Sequence, residues 1–283
     1  VDVAQLTRQR TSNLIRSVGL LAAIFAFVGF LGQLVLGASG VVWFAAGFAA
    51  LAIANSGAGA RMLLQARKAQ PIADPGLQHL VRELAARADV PAPQLVGLPS
   101  NQMEAFTVGS KGRGTIAISA GMLRRLTPRE LAAVLAHEVS HLRHHDLFFL
   151  GMARSLGRFG RFLSGFGLLA AVLALPAVLF GAAGVPFAAV LLLLVSPRVL
   201  MGLENALSRS REFDADAGAA ALTGDPEALG SALAKVEQAQ LQQDPMWRLF
   251  GRAARAPTWL QSHPPTHERR LRLGALGGER RWV

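Results

Sequence analysis

Nineteen consecutive residues, Val18 to Leu36, carry no charge, which is the length a helix needs to cross the hydrocarbon of a bilayer. Inside lipid every backbone N–H and C=O must be satisfied by the protein itself, so such a run is expected to be a helix. A second apolar run, Val41 to Leu64, begins after Gly37-Ala38-Ser39-Gly40 and is uncharged up to Arg61, whose long stem lets its head reach the interface. Basic residues before the first run and small ones after it also fit a cleaved leader. The run exceeds the apolar core of a leader and a second follows at once, so a retained anchor is expected. Phe162 to Phe180 and Val185 to Val195 repeat the arrangement around Gly181-Ala182-Ala183-Gly184. Pro176 is expected to break the third run. The fourth is short, ending at Pro197-Arg198, and crosses only if its helix extends into the turn or past Pro197 to Leu203; otherwise the second hairpin is re-entrant.

The chain has 29 Lys and Arg against 18 Asp and Glu, a formal net charge of +11. That balance suits either nucleic acid or an anionic membrane surface. Basic residues flank the outer ends of both hairpins (Arg8, Arg10 and Arg16; Arg61, Arg67 and Lys68; Arg154, Arg158 and Arg161; Arg198), and neither turn carries one. The positive-inside rule then puts both termini and the soluble parts in the cytoplasm. Charge is spent on orientation, and no nucleic-acid partner is expected. There is no cysteine, which excludes disulfides and sulfur-ligated metals.

The organisation that follows is a membrane hairpin over 1–69, with spans about 18–36 and 41–64, and a first soluble part over 70–161. A second membrane hairpin covers 162–203, and a second soluble part 204–283. Within the first soluble part, Gly76 to Ala88 has helical apolar spacing, and Gln94–Leu98, Ala105–Val108 and Thr115–Ser119 read as short strands. The glycine-rich stretch 109–114 lacks the Lys-Ser/Thr of a phosphate loop and joins strand to strand. Thr127, Pro128 and Glu130 predict an N-cap with a capping box.

The helix they start carries His137-Glu138-Val139-Ser140-His141. Two histidines one turn apart share a face and reach one metal ion, while Glu138, turned about 100° away, holds the attacking water without being a ligand. Imidazole without thiolate suits zinc. This helix is expected to run on into the third span, with His144 and His145 exposed. Catalytic zinc takes three protein ligands. In the helical pattern Ser208 to Ala220, Glu212 and Asp216 share a face, so Glu212 suits the third ligand and Asp216 suits a carboxylate that fixes a histidine tautomer. The competing reading is a solvated face on which Arg211, Asp214 and Asp216 keep the helix soluble. The alanines at 215, 217, 219 and 220 favour close packing instead.

These residues resemble the HtpX-type membrane zinc metallopeptidases, in the superfamily that contains the CAAX prenyl peptidases. The resemblance runs from about Leu95 to Leu273. It rests on Ala105-Phe106-Thr107-Val108-Gly109, Ile116 to Leu123, the pentad with Asp146, Ser208 to Asp216, and Ser262-His263-Pro264-Pro265-Thr266-His267-Glu268-Arg269. It implies a mainly helical integral membrane protein with a gluzincin-type peptidase domain, a small β-sheet and two transmembrane hairpins. One zinc ion per chain would be held by His137, His141 and Glu212, with Glu138 as base and Asp216 supporting a ligand. Ala105, Phe106, Thr107 and Val108 would form an edge strand on which an extended substrate is laid. His263 would lie near the zinc, as an oxyanion donor, a cap on the resting metal, or part of a rigid turn. The implied setting is the bacterial inner membrane, under stress, with misfolded membrane proteins or unfolded polypeptides as substrates. Two positions depart from the family pattern: Glu104 stands where asparagine is usual, and His144-His145 where Asn-Gly is common. The expected function is therefore a zinc endopeptidase at the cytoplasmic membrane face. A non-catalytic membrane adaptor with a structural zinc is the alternative, and a transporter is disfavoured because the spans lack ionisable residues.

Overall fold

The computed structural model describes residues 3–43, 46–47, 58–110, 112–144, 146–180, 187–243 and 264–277. The chain is mainly helical. Among the described residues three helices are long and apolar enough to cross a membrane, over Thr11–Leu34, Phe149–Leu173 and Val190–Thr223. The first lies in α1 (Val3–Leu36), which closes on Gly37 in the left-handed region at φ 65°. Helix resumes over 38–43. Half of the expected second span, 44–45 and 48–57, falls outside the described residues, and α2 (Ala58–Ala66) marks its far end.

Neither proline ends a helix. The third span belongs to α6 (Asp146–Leu179), which carries Pro176 in its last turn. The fourth belongs to α7 (Phe187–Thr223), which runs straight through Pro197. Proline at 197 cannot bond the carbonyl four residues back, and in lipid that carbonyl needs another donor. Ser196 supplies it, its hydroxyl donating to Leu193 O at 2.9 Å. The fourth span is therefore not limited to eleven residues, and α7 has the length to cross.

Small residues let α6 and α7 approach. A Cβ on Gly157 would fall 1.3 Å from Glu204 Oε1 and one on Gly160 would fall 2.3 Å from Leu200 Cδ1. One turn on, the hydroxyls of Ser164 and Ser196 bond each other. Close backbone approach with hydroxyl bridges is how helices associate where lipid removes the hydrophobic drive. Ile24, Val28, Leu156, Leu163, Leu193 and Leu200 fill the bundle, while Phe166, Leu169, Val172 and Leu173 on α6 and Leu191 and Leu194 on α7 face outward.

The soluble part has its own core. A four-stranded mixed sheet has the order β1-β2-β4-β3. The strands are β1 (Gln70–Pro71), β2 (Gln94–Leu98), β3 (Ala105–Ser110) and β4 (Arg113–Ser119). β1 is too short to be read from sequence. β3 and β4 form the expected hairpin across the glycine-rich turn, and among the described residues β3 is an edge strand, its other side unpaired in the sheet. The remaining helices are α3 (Pro75–Ala88), α4 (Ala120–Arg125), α5 (Pro128–Arg143), α8 (Pro226–Gln243) and α9 (Thr266–Gly277). Leu84, Ile116, Ile118, Leu135, Leu229 and Leu273 bring sheet and helices together.

α5 starts as its sequence dictates, with Thr127 as N-cap, Pro128 in the first turn and the capping box formed. Glu130 does more than cap. It accepts from Thr127 N at 2.8 Å, Ser231 Oγ at 2.7 Å and Lys235 Nζ at 2.7 Å, pinning α8 to the start of α5. Burial alone would raise its pKa, but the Lys235 ammonium and the donors at Thr127 and Ser231 outweigh it and pull the carboxyl down to about 2. Its contribution to stability is thus complete above roughly pH 4, the unfolded value, and is lost as pH falls through about 2. Glu130→Ala should lower unfolding stability at neutral pH by about 2 kcal/mol, from the lost cap and the stranded partners. Denaturant unfolding in detergent measures it, and a loss below about 0.5 kcal/mol would refute the role.

Candidate metal centre

α5 does not run on into the third span. It ends at Arg143 with His144 as C-cap, and α6 begins at Asp146. The break returns the Asp146 carboxylate to the pentad, 2.8 Å from His141 Nδ1. His144 is half-buried, its Nδ1 3.2 Å from Ser140 Oγ; His145 lies outside the described residues.

His137 and His141 project together from α5, their rings edge to face at a centroid distance of 4.8 Å. Their Nε2 atoms stand 3.2 Å apart. Glu212 enters from α7, with Oε2 3.6 Å from His137 Nε2 and Oε1 4.0 Å from His141 Nε2. All three side chains are buried. Gly218 lets α7 come this near, since a Cβ there would lie 1.8 Å from Ser140 Oγ. The small-residue face of α7 serves close packing, as its alanines suggested.

The polar residues of α7 are not a solvated face. Arg211, Asp214 and Asp216 are each 3% exposed. Arg211 pairs with Asp146 at 3.1 Å and with Asp214, and Asp214 accepts from Asn13 Nδ2 of α1 at 2.7 Å. A buried chain of contacts therefore runs from the first membrane helix to His141. Asp216 Oδ1 lies 3.1 Å from His137 Nδ1, within reach but without an aligned hydrogen bond. Arg269 of α9 grips Asp216 through Nε at 2.8 Å and Nη2 at 2.6 Å, and its Nη1 stands 3.3 Å from Glu212 Oε2. Arg269 thus braces this carboxylate pair from outside the pentad. His263 itself lies outside the described residues.

Donor chemistry tests the fit to a cation. The Asp146 carboxylate assigns the His141 proton to Nδ1, and Asp216 favours the same tautomer at His137. Both Nε2 atoms then present lone pairs to each other and to an ionised carboxylate, and nothing in that group is left to donate. A cation resolves the clash. Two nitrogens about 2.0–2.1 Å from one tetrahedral ion would stand roughly 3.3 Å apart, close to the 3.2 Å observed. A proton is the competing occupant. Burial presses against charge on His137, but the carboxylates of Asp216 and Glu212 outweigh it and raise its pKa to about 10. His141 is raised too, because Asp146 and Glu212 overcome burial and the neighbouring imidazole.

Glu138 is buried beside this group. Thr107 Oγ1, on edge strand β3, donates to Glu138 Oε2 at 2.6 Å. The edge strand and the pentad thus meet directly, a contact the sequence did not reveal. The carboxylate of Glu104, at the foot of that strand, accepts from Arg67 Nη1 at 3.0 Å on each oxygen. The acid at this unusual position fastens the strand to the segment that follows the first hairpin.

Residues 71–276 match the family described as Peptidase family M48. A protein of Kineococcus radiotolerans described as a protease HtpX homolog is 34% identical over 248 residues, covering 78% of this chain and 81% of that one. One of Acaryochloris marina, described in the same words, is 32% identical over 286 residues, covering 92% and 94%. The crystal structure of S. mikatae Ste24p is similar in fold, with a TM-score of 0.58 at 19% identity over 94% of this chain and 67% of that one.

Proposed function

Since the chain belongs to peptidase family M48 and, with its HtpX-type relatives, is a membrane metalloprotease, we propose that it is a zinc-dependent endopeptidase whose site faces the cytoplasm. The observation that carries the reading is the meeting of two imidazole Nε2 atoms and the Glu212 carboxylate beside Glu138 and an open strand edge. His137, His141 and Glu212 would hold the ion. Zinc, when bound, supplies Lewis acidity toward the scissile carbonyl.

The rest falls to the chain's own groups. An extended substrate adds a strand to β3, its backbone bonding the unpaired edge around Ala105, Phe106, Thr107 and Val108. Glu138 orients the attacking water, takes its proton, and passes that proton to the leaving amine. Thr107 fixes one carboxylate oxygen and leaves the other for the water. Asp146 and Asp216 hold the imidazoles in the ligating tautomer, and Arg269 keeps Asp216 and Glu212 close together despite their like charge. The arginine distribution supports cytoplasmic termini, and a role in clearing damaged membrane proteins fits a strand edge that reads backbone more than side chains.

Protein purified in detergent under chelator should bind one zinc ion per chain and then cleave casein, while the stripped protein does not. Zinc uptake without cleavage would favour the adaptor, and no uptake would end the metalloenzyme reading. Because the chain has no cysteine, single introduced cysteines report which side of the membrane each loop occupies.

Ion binding displaces the proton from His137, so apparent zinc affinity should weaken about tenfold for each pH unit lowered below about 10. Competition titrations from pH 6 to 9 measure the slope. A flat profile would contradict the protonated resting site.

A further inference from the structure

A cavity of about 470 Å³ opens between α1 and α7, lined by Asn13, Arg16 and Leu20 from one and Arg209, Ser210 and Phe213 from the other. Its position along both helices is informative. On α1 it lies where Arg8, Arg10, Asn13, Arg16 and Ser17 give way to the uncharged run that starts at Val18. On α7, which runs the other way, it lies just past the apolar segment, where Glu204, Arg209 and Arg211 begin. Both helices change from apolar to polar at this level, which is the depth of lipid headgroups. The described lining holds two guanidinium groups, one from each wall. Arginine forks match the paired oxygens of a phosphate, and Leu20 with Phe213 offers apolar surface at the same opening. Ile15, exposed on α1 one turn before the cavity-lining Gly19, continues that surface outward.

We propose that this cavity binds the phosphate of an anionic glycerophospholipid, with Arg16 and Arg209 on the headgroup and the acyl chains along the outer faces of α1 and α7. The site clamps the first helix to the one that carries Glu212. Asn13, in its wall, is the residue that bonds Asp214, so the bound lipid holds the end of the contact chain that reaches His141. The inference rests on membrane insertion and not on the proteolytic reading, and its test uses no activity.

The full chain is reconstituted in nanodiscs containing phosphatidylglycerol as a minor component in phosphatidylcholine, and lipid retained after detergent release is read by native mass spectrometry. The wild type should keep one phosphatidylglycerol per chain, enriched at least about fivefold over the bilayer ratio. Two variants should lose it: Arg16→Gln with Arg209→Gln, and Gly19→Leu. Gly19 also lines the cavity, and a Cβ there meets no atom within 4 Å, so leucine fills the space without touching either charge. If the double variant does not fold, Gly19→Leu decides alone. Unchanged retention in a folded variant, or equal retention of phosphatidylcholine, would overturn the site. Displacement of the lipid by millimolar inorganic phosphate would assign the arginines to a soluble anion and overturn it as well.

Discussion

Glu138→Gln should leave the protein folded and its zinc bound while slowing casein cleavage about 10³- to 10⁴-fold, the upper range for a positioned general base. Glutamine has the same shape, and its carbonyl oxygen can keep the bond from Thr107 that the carboxylate accepts at 2.6 Å. What it cannot do is take a proton from water. The residues placed to hold the ion are His137, His141 and Glu212, and Glu138 is not among them, so zinc content should stay at one per chain. Zinc by atomic absorption and casein cleavage on the same preparation are the measurements. A drop of less than about tenfold would remove Glu138 from the chemistry.

Glu212→Ala should weaken zinc binding by about 10³-fold or more, roughly 4 kcal/mol, and abolish cleavage at ordinary zinc levels. The fold should survive, because Arg269 keeps both hydrogen bonds to Asp216 after losing Glu212. Asp146→Asn makes the useful contrast. It changes a group that orients His141 without being a ligand, and outer partners of this kind are worth about 10- to 100-fold in metal affinity. Chelator competition separates the two classes. Wild-type affinity in Glu212→Ala would mean that another residue completes the site.

What could be read from the sequence was what the chain encodes locally. The pentad and the capping box of α5 need only residues within a turn or two, and the structure forms both. Glu212 was legible for a chemical reason, since two histidines require a third donor and the helix at 208–220 offered a carboxylate on a packable face. Pro197 misled, because a proline rule weighs the lost N–H and not the hydroxyl beside it, and Ser196 restores what Pro197 removes; Pro176 falls in the last turn of α6, with little helix left to break. Asp146 is near in sequence, but its return to His141 depends on a helix break that the apolar pattern hid. Arg269 with Asp216 and Asn13 with Asp214 are 53 and 201 residues apart, beyond any periodicity. For Arg211 and Asp214 only the alanines nearby argued against a solvated face, because burial of an ion pair leaves no mark on the sequence of one partner.

The bond from Asn13 to Asp214 bears on where such an enzyme can act. A protease with an open strand edge has little means of sparing bystanders by sequence, so restraint has to come from confinement. Here the tether and the cutting machinery share one hydrogen-bonded scaffold: a copy cut free of its first helix would lose Asn13, leaving a carboxylate short of a donor three contacts from the His141 imidazole. Release from the bilayer would then damage the blade, and the soluble proteins around it would be spared.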